Sequence, residues 1–158
     1  MARRTQSQNE YCLKINLKGA KRIWRVIAIR GDQTLDDLHE AIFAAFDRFD
    51  AHLYSFYFPK GPRRRPSLGP VPREYTAPIT CEEPDPFGTQ RRFNAARTPL
   101  DSLALKVGQQ FEYLFDFGDS WWHEGKVEQV GPVVTGRRYP EIVETHGRSP
   151  AQYDHEEA

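Results

Sequence analysis

The chain has 158 residues, of which 28% are charged and 13% aromatic, and its 22 basic and 22 acidic side chains balance. That length supports one hydrophobic core, the composition excludes a wholly disordered or fibrous chain, and no apolar run approaches the roughly 20 residues of a membrane helix. Met1 to Asn9 is polar and basic with no apolar stretch after Arg3-Arg4, and Cys12 and Cys81 stand alone. A secretory leader, a zinc knuckle and a disulfide framework are therefore not expected, and a cytoplasmic location is.

Residues 1–10 read as a disordered basic N-terminus, 11–153 as a single α+β domain and 154–158 as a frayed acidic tail. Tyr11, Leu13, Ile15 and Leu17 alternate with polar residues, the period of a half-buried strand. After a turn at Gly19-Ala20-Lys21, the β-branched run Ile23 to Ile29 completes a hairpin. Thr34 is a good helix N-cap, and Asp37 three residues on makes a short capping box. Leu35, Leu38, Ile42, Ala45, Phe46 and Phe49 then recur on one helical stripe. His52 to Phe58 reads as a third strand. Strand, strand, helix, strand predicts a mixed β-sheet with the helix across one face, in a β-grasp-like ββαβ opening.

Regularity fails from Pro59 to Pro99, where nine of the twelve prolines lie. Proline cannot donate to a strand ladder, so 59–99 is expected to be a long Pro/Arg-rich surface excursion. Its Arg63, Arg64, Arg65, Arg91 and Arg92, with Phe87 and Phe93 nearby, are candidates for holding a nucleic acid by phosphate contacts and base stacking. Leu100 to Val107 returns to the core as a turn or short helix. Phe111, Tyr113, Phe115 and Phe117 alternate again, Trp122 to Val130 is the return strand of a late β-hairpin, and Val133-Val134 or Ile142-Val143 supplies an edge strand.

The hairpin turn is the most informative stretch: Asp116-Phe117-Gly118-Asp119-Ser120-Trp121-Trp122-His123-Glu124. With an Asp119-Ser120 loop, Asp116 faces His123 and holds one imidazole tautomer; with Gly118-Asp119-Ser120, Phe117 faces Trp121 and that pair is lost. Asp116-Phe117-Gly118 spells a kinase metal triplet, but no glycine-rich loop or catalytic-loop signature accompanies it. Walker, dinucleotide and nucleophile-elbow motifs are equally missing.

Taken in order, Ile23-Trp24-Arg25, Thr34-Leu35-Asp36-Asp37-Leu38-His39, His52-Leu53-Tyr54-Ser55-Phe56, Leu103 to Gly108, Phe111-Glu112-Tyr113 and the hairpin turn form a specific string. Tyr139-Pro140, Gly147, Pro150 and Gln152-Tyr153 extend it. This set resembles the Ri-plasmid ORF-three-like family, some of whose members are labelled passenger proteins of insertion elements. The resemblance implies an α+β fold with a helix on a mixed sheet, and it supplies no activity; no serine- or tyrosine-recombinase catalytic set is recognisable. It also implies polar residues at the positions of His39, His52, Asp116, Asp119 and His123, together with Trp24 and Trp121.

Three functions follow as expectations. The first is a binding or adaptor module for a protein or a nucleic acid, with no membrane partner. The second is a hydrolase assisted by a divalent metal held among His39, His52, Asp116, Asp119 and His123. The third is a small-ligand pocket lined by Trp24, Trp121 and Trp122.

Overall fold

The computed structural model describes residues 7–59, 73–82 and 92–152. The elements are β1 (Asn9–Leu17), β2 (Ala20–Arg30), α1 (Leu35–Ala45), β3 (Tyr54–Phe58), β4 (Arg73–Thr76) and the short α2 (Pro78–Glu82). After these come β5 (Arg92–Asn94), β6 (Gln110–Phe115), β7 (Trp121–Pro132) and β8 (Glu141–His146). Among the described residues eight strands form one mixed sheet in the order β5-β4-β3-β6-β7-β1-β2-β8. Only β4 and β5 run parallel. The ββαβ succession is present along the chain, yet β6 and β7 stand between β3 and the first hairpin.

β1 shows why the alternation is legible. Tyr11, Leu13, Ile15 and Leu17 are buried while Cys12, Lys14 and Asn16 are partly exposed. Directly across from them Ile27 and Ile29 of β2 and His123 and Val127 of β7 face the same core. α1 adds Leu35, Leu38, Ile42 and Ala45, and Phe46 just beyond it, to that cluster. Its start is fixed as the sequence predicts: Thr34 Oγ1 accepts the Asp37 N–H at 3.2 Å, and Asp37 Oδ2 accepts the Thr34 N–H at 2.8 Å.

The end of α1 is held by a residue that the helical pattern does not reveal. Arg25 of β2 is 2% exposed, and its Nε donates to the Ala45 carbonyl at 2.8 Å. Its Nη1 donates to the carbonyls of Trp24 and His146, each at 2.9 Å, and the guanidinium lies over Phe46. A cation is thus placed where the last turn leaves unpaired carbonyls and the negative end of the helix dipole.

Two boundaries differ from expectation. Residues 7–10 belong to the fold: β1 begins at Asn9, and buried Glu10 is bonded by Arg137 and by the Tyr139 hydroxyl at 3.0 Å. The segment 59–99 is not wholly an excursion, since β4 pairs with β3 and β5 with β4, and Tyr75, Thr76, Ala77 and Ala95 are buried. No proline falls within Arg73–Thr76, so the β4 ladder survives. The tail 154–158 lies outside the described residues.

Gly125 of β7 sits opposite Phe111 of β6 and Ile15 of β1, and a Cβ there would meet the Phe111 ring at 2.2 Å. The ring fills the space that glycine leaves, as in aromatic rescue of strand glycines. Replacing Gly125 by alanine should therefore cost about 1–3 kcal/mol through overpacking. A lower urea midpoint at unchanged slope would report it; a wild-type midpoint would show that Phe111 swings aside freely.

Candidate functional site

The β6–β7 turn has neither of the two registers considered from the sequence. Tyr113 pairs with His123 and Phe115 with Trp121, so the loop is Asp116 to Ser120. Positive φ falls on Asp116 (63°) and Ser120 (56°) instead of Gly118. Asp116 tolerates it because its side chain ties the turn: Oδ1 accepts the N–H of Gly118 at 3.0 Å and of Asp119 at 3.3 Å. Its carbonyl accepts the Ser120 N–H.

The five polar candidates divide into two groups. On the hairpin side, Asp116 Oδ2 lies 3.4 Å from His52 Nε2, with Asp50 Oδ2 at 3.6 Å from the same nitrogen. Asp116 thus partners His52 and not His123. Asp119 is exposed at the turn. Beneath the helix, His39 and His123 are buried around Tyr113. His39 Nδ1 is 2.6 Å from the Tyr113 hydroxyl, and its ring stacks on Tyr54 at 3.7 Å. Tyr54 in turn donates to Asp36 at 2.5 Å. His123 packs edge-on against Phe46 and beside Tyr113, with Nδ1 3.0 Å from the Trp121 carbonyl. His39 and His52 both contact Phe115, whose ring lies between the two groups.

Electrostatics give the buried group a structural character. Burial pushes the His39 pKa down to about 4, against a weaker pull from Asp36. Burial and the nearby Arg48 charge push His123 down to about 3. Burial raises the Tyr54 and Tyr113 phenols well above their ordinary value. All four rings are therefore neutral near pH 7 and linked by hydrogen bonds and stacking. Among the described residues no three His, Cys, Asp or Glu side chains are grouped to hold a metal ion. The five-residue metal site expected for a hydrolase is not assembled, because Phe115 and the Asp116 turn send its members to different surroundings.

The three indoles also separate. Trp121 and Trp122 are adjacent in a strand and so point to opposite faces. Arg48 covers Trp121 at 4.3 Å on the helix side. Trp122 lies on the other face against Tyr57, with Lys18 above it. Trp24 is also on that face, stacked on His146 at 5.0 Å with Lys14 at 4.7 Å. One cavity at the hairpin end touches Trp121 and Trp122 but not Trp24. Arg63, Arg64, Arg65 and Arg91 lie outside the described residues; Arg92 is in β5, paired in register with Glu74.

On the second sheet face Arg137 and Tyr139 cover Glu10, and Ala28, Ser55 and Thr76 are buried, while the middle of the sheet opens into a groove. Across its strands one row reads Glu74, Tyr57, Glu112, Glu124, Asn16, Trp24. Glu112 and Glu124 are directly opposite, and Lys18 reaches Glu112 at 3.3 Å. This groove of about 610 Å³ lies along the middle of the row, from Tyr57 to Asn16, bordered also by Lys14, Lys126 and Glu128. Trp24, Trp122 and, within the Ile23-Trp24-Arg25 string, Arg25 were visible in the sequence, but Arg48 and this row were not singled out. Arg48 did carry a signal: it is the only Lys or Arg from 31 to 58, set between Phe46 and Phe49 of the apolar stripe.

The family model for plasmid pRiA4b ORF-3-like proteins matches residues 9–153. The chain belongs to the plasmid pRiA4b ORF-3-like family. It is 31% identical over 119 residues to the uncharacterised protein y4hQ of Sinorhizobium fredii (strain NBRC 101917 / NGR234), covering 75% of this chain and 52% of that protein. The chain thus spans about half the length of that relative. A crystal structure of MM3350, a protein of unknown function from Methanosarcina mazei Go1, is similar with a TM-score of 0.71 and 27% identity. That likeness covers 91% of this chain and 72% of MM3350. This pRiA4b ORF-3-like chain thus shares its fold with MM3350, and no helix among the described residues is long and apolar enough to cross a membrane.

Proposed function

We propose that the chain is a binding module that receives a cationic protein segment in the groove across the second face of its sheet. The observation that carries this is the Glu112–Glu124 pair, set directly opposite on neighbouring strands within a groove beside Tyr57. Like charges so placed destabilise a sheet by a few tenths to about 1 kcal/mol. An arginine or lysine from a partner relieves that repulsion, and Tyr57 in the groove wall offers a ring for its stem and charge. Glu112, Glu124 and Glu128 outnumber Lys14 and Lys126 around the groove, which disfavours the phosphates of a nucleic acid there. The helix-side histidines serve the fold in this reading, because they are neutral, buried and mutually satisfied over most of their polar atoms.

The test titrates the protein with a short Gly/Ser peptide carrying several arginines, a neutral peptide of equal length and a single-stranded oligonucleotide, following tryptophan fluorescence. The arginine peptide should bind saturably, and E112Q/E124Q should weaken it by about tenfold, or roughly 1.4 kcal/mol. In the free protein that same double substitution should leave stability unchanged or raise it by up to about 1 kcal/mol. Binding of the oligonucleotide alone, or equal binding of both peptides, would defeat the proposal.

A further inference from the structure

The groove on the second sheet face carries its charges in a fixed order. Along β7 the charged side chains bordering it are Glu124, Lys126 and Glu128, an acid, a base and an acid at alternate positions. The intervening Gly125 and Val127 are buried. The neighbouring strands extend the same order sideways: Glu112 of β6 is directly opposite Glu124, and Lys14 of β1 is directly opposite Lys126. An acidic row and a basic row thus cross the groove side by side, and Glu128 lies beyond them at the bulge in the β1–β7 pairing. Each like-charged pair repels across its ladder. Successive positions on one face of a strand are two residues, or roughly 7 Å, apart.

These charges are not consumed by one another. Among the described residues Glu124, Lys126 and Glu128 have no opposite charge within ion-pair distance, and Glu112 is reached only by Lys18, at 3.3 Å. The Lys14 ammonium is drawn over the Trp24 ring at 4.7 Å. Glu112 and Glu124 are partly exposed, and Lys126 and Glu128 are exposed, so a partner in the groove can meet all four.

Resting on the reading of this groove as the site of a cationic segment, we infer that its partner is an extended segment of the alternating form cation-x-anion-x-cation. An extended chain laid along β7 places its own residues i, i+2 and i+4 on one face, at the pitch of Glu124, Lys126 and Glu128. The first cation then meets Glu112 and Glu124, the anion meets Lys14 and Lys126, and the second cation meets Glu128. A run of cations alone puts its middle charge over the Lys14–Lys126 pair and is repelled there. The inverse order, anion-x-cation-x-anion, sets like against like at all three positions. The charge pattern is the same read from either end, so both chain directions are accommodated.

The test titrates the full chain at low ionic strength with three peptides of equal length in a Gly/Ser background, following tryptophan fluorescence. Their central residues are Arg-Ser-Glu-Ser-Arg, Arg-Ser-Gln-Ser-Arg and Arg-Glu-Ser-Ser-Arg. The alternating peptide should bind about threefold more tightly than the Gln peptide, although it carries less positive charge; that is the size expected of one or two exposed ion pairs. It should exceed the permuted peptide by a similar factor, because there the glutamate falls on the other side of an extended chain. Lys126→Gln, at an exposed position, should abolish both preferences and leave binding of the Gln peptide unchanged or tighter. Equal or tighter binding of the Gln peptide by the wild type, or a preference that survives Lys126→Gln, would overturn the inference. If E112Q/E124Q still weakened that binding, the cationic-segment reading would stand without it. Failure of all three peptides to bind would overturn both.

Discussion

Acidification from pH 7 to about pH 4.5 should remove on the order of 5 kcal/mol of folding stability through His39 and His123 together. Their pKa values lie at about 4 and about 3 in the folded protein, against the ordinary 6.5. A depressed folded value means that the unfolded chain binds more protons in this window. The stability that these histidines contribute is therefore complete above about pH 6.5 and is lost as pH falls toward 4 and then 3. Each contributes a slope of about 1.4 kcal/mol per pH unit while only the unfolded state is protonated. The groups around them do not reverse the sign. Asp36 and the adjacent Glu40 draw His39 only weakly toward its charged form, and Arg48 opposes protonation of His123. Urea midpoints between pH 7 and pH 4.5 measure the effect. His39→Gln can still bond the Tyr113 hydroxyl but does not titrate, so it should flatten the slope by about one proton. An identical slope in that variant would show that carboxylates elsewhere govern the acid transition.

Replacing Arg25 by methionine should cost about 3–5 kcal/mol. The substitution keeps much of the aliphatic stem but removes the donors to the carbonyls of Ala45, Trp24 and His146. Hydrogen bonds to a charged group are worth about 1.5–3 kcal/mol each, and unpaired buried carbonyls add their own desolvation cost. Packing of methionine against Phe46 offsets part of the loss, since a buried charge is itself expensive. Because the three acceptors lie on α1, β2 and β8, hydrogen exchange should rise together in all three elements. A loss confined to β8, or a cost below about 1 kcal/mol, would mean that Arg25 is not what joins the helix end to the sheet.

These two residue sets illustrate what the sequence makes legible. Period-two alternation located β1, and the Thr34–Asp37 box located the start of α1, because both are local rules with local partners. The partners of Arg25 and His39 are remote in sequence, 121 residues away for the His146 carbonyl and 74 for Tyr113, so no window contains them. The hairpin register was missed for a different reason. Glycine is the residue most tolerant of positive φ, yet in this turn Asp116 takes that conformation and secures it through its own carboxylate. β4 and β5 were hidden by the prolines around them and by their length of four and three residues. The polar candidates His39, His52, Asp116 and His123 do lie in one region of the molecule, but Phe115 divides them, and nothing in the sequence says which side of an aromatic ring a histidine will take.

Backbone and side-chain NMR during titration with the arginine peptide addresses the central proposal most directly. The account predicts shifts along the open row, at Tyr57, Glu112, Trp122, Glu124 and Trp24, with His39, Tyr113 and the core beneath α1 unmoved. Shifts centred on the helix side, or none at saturating peptide, would contradict it.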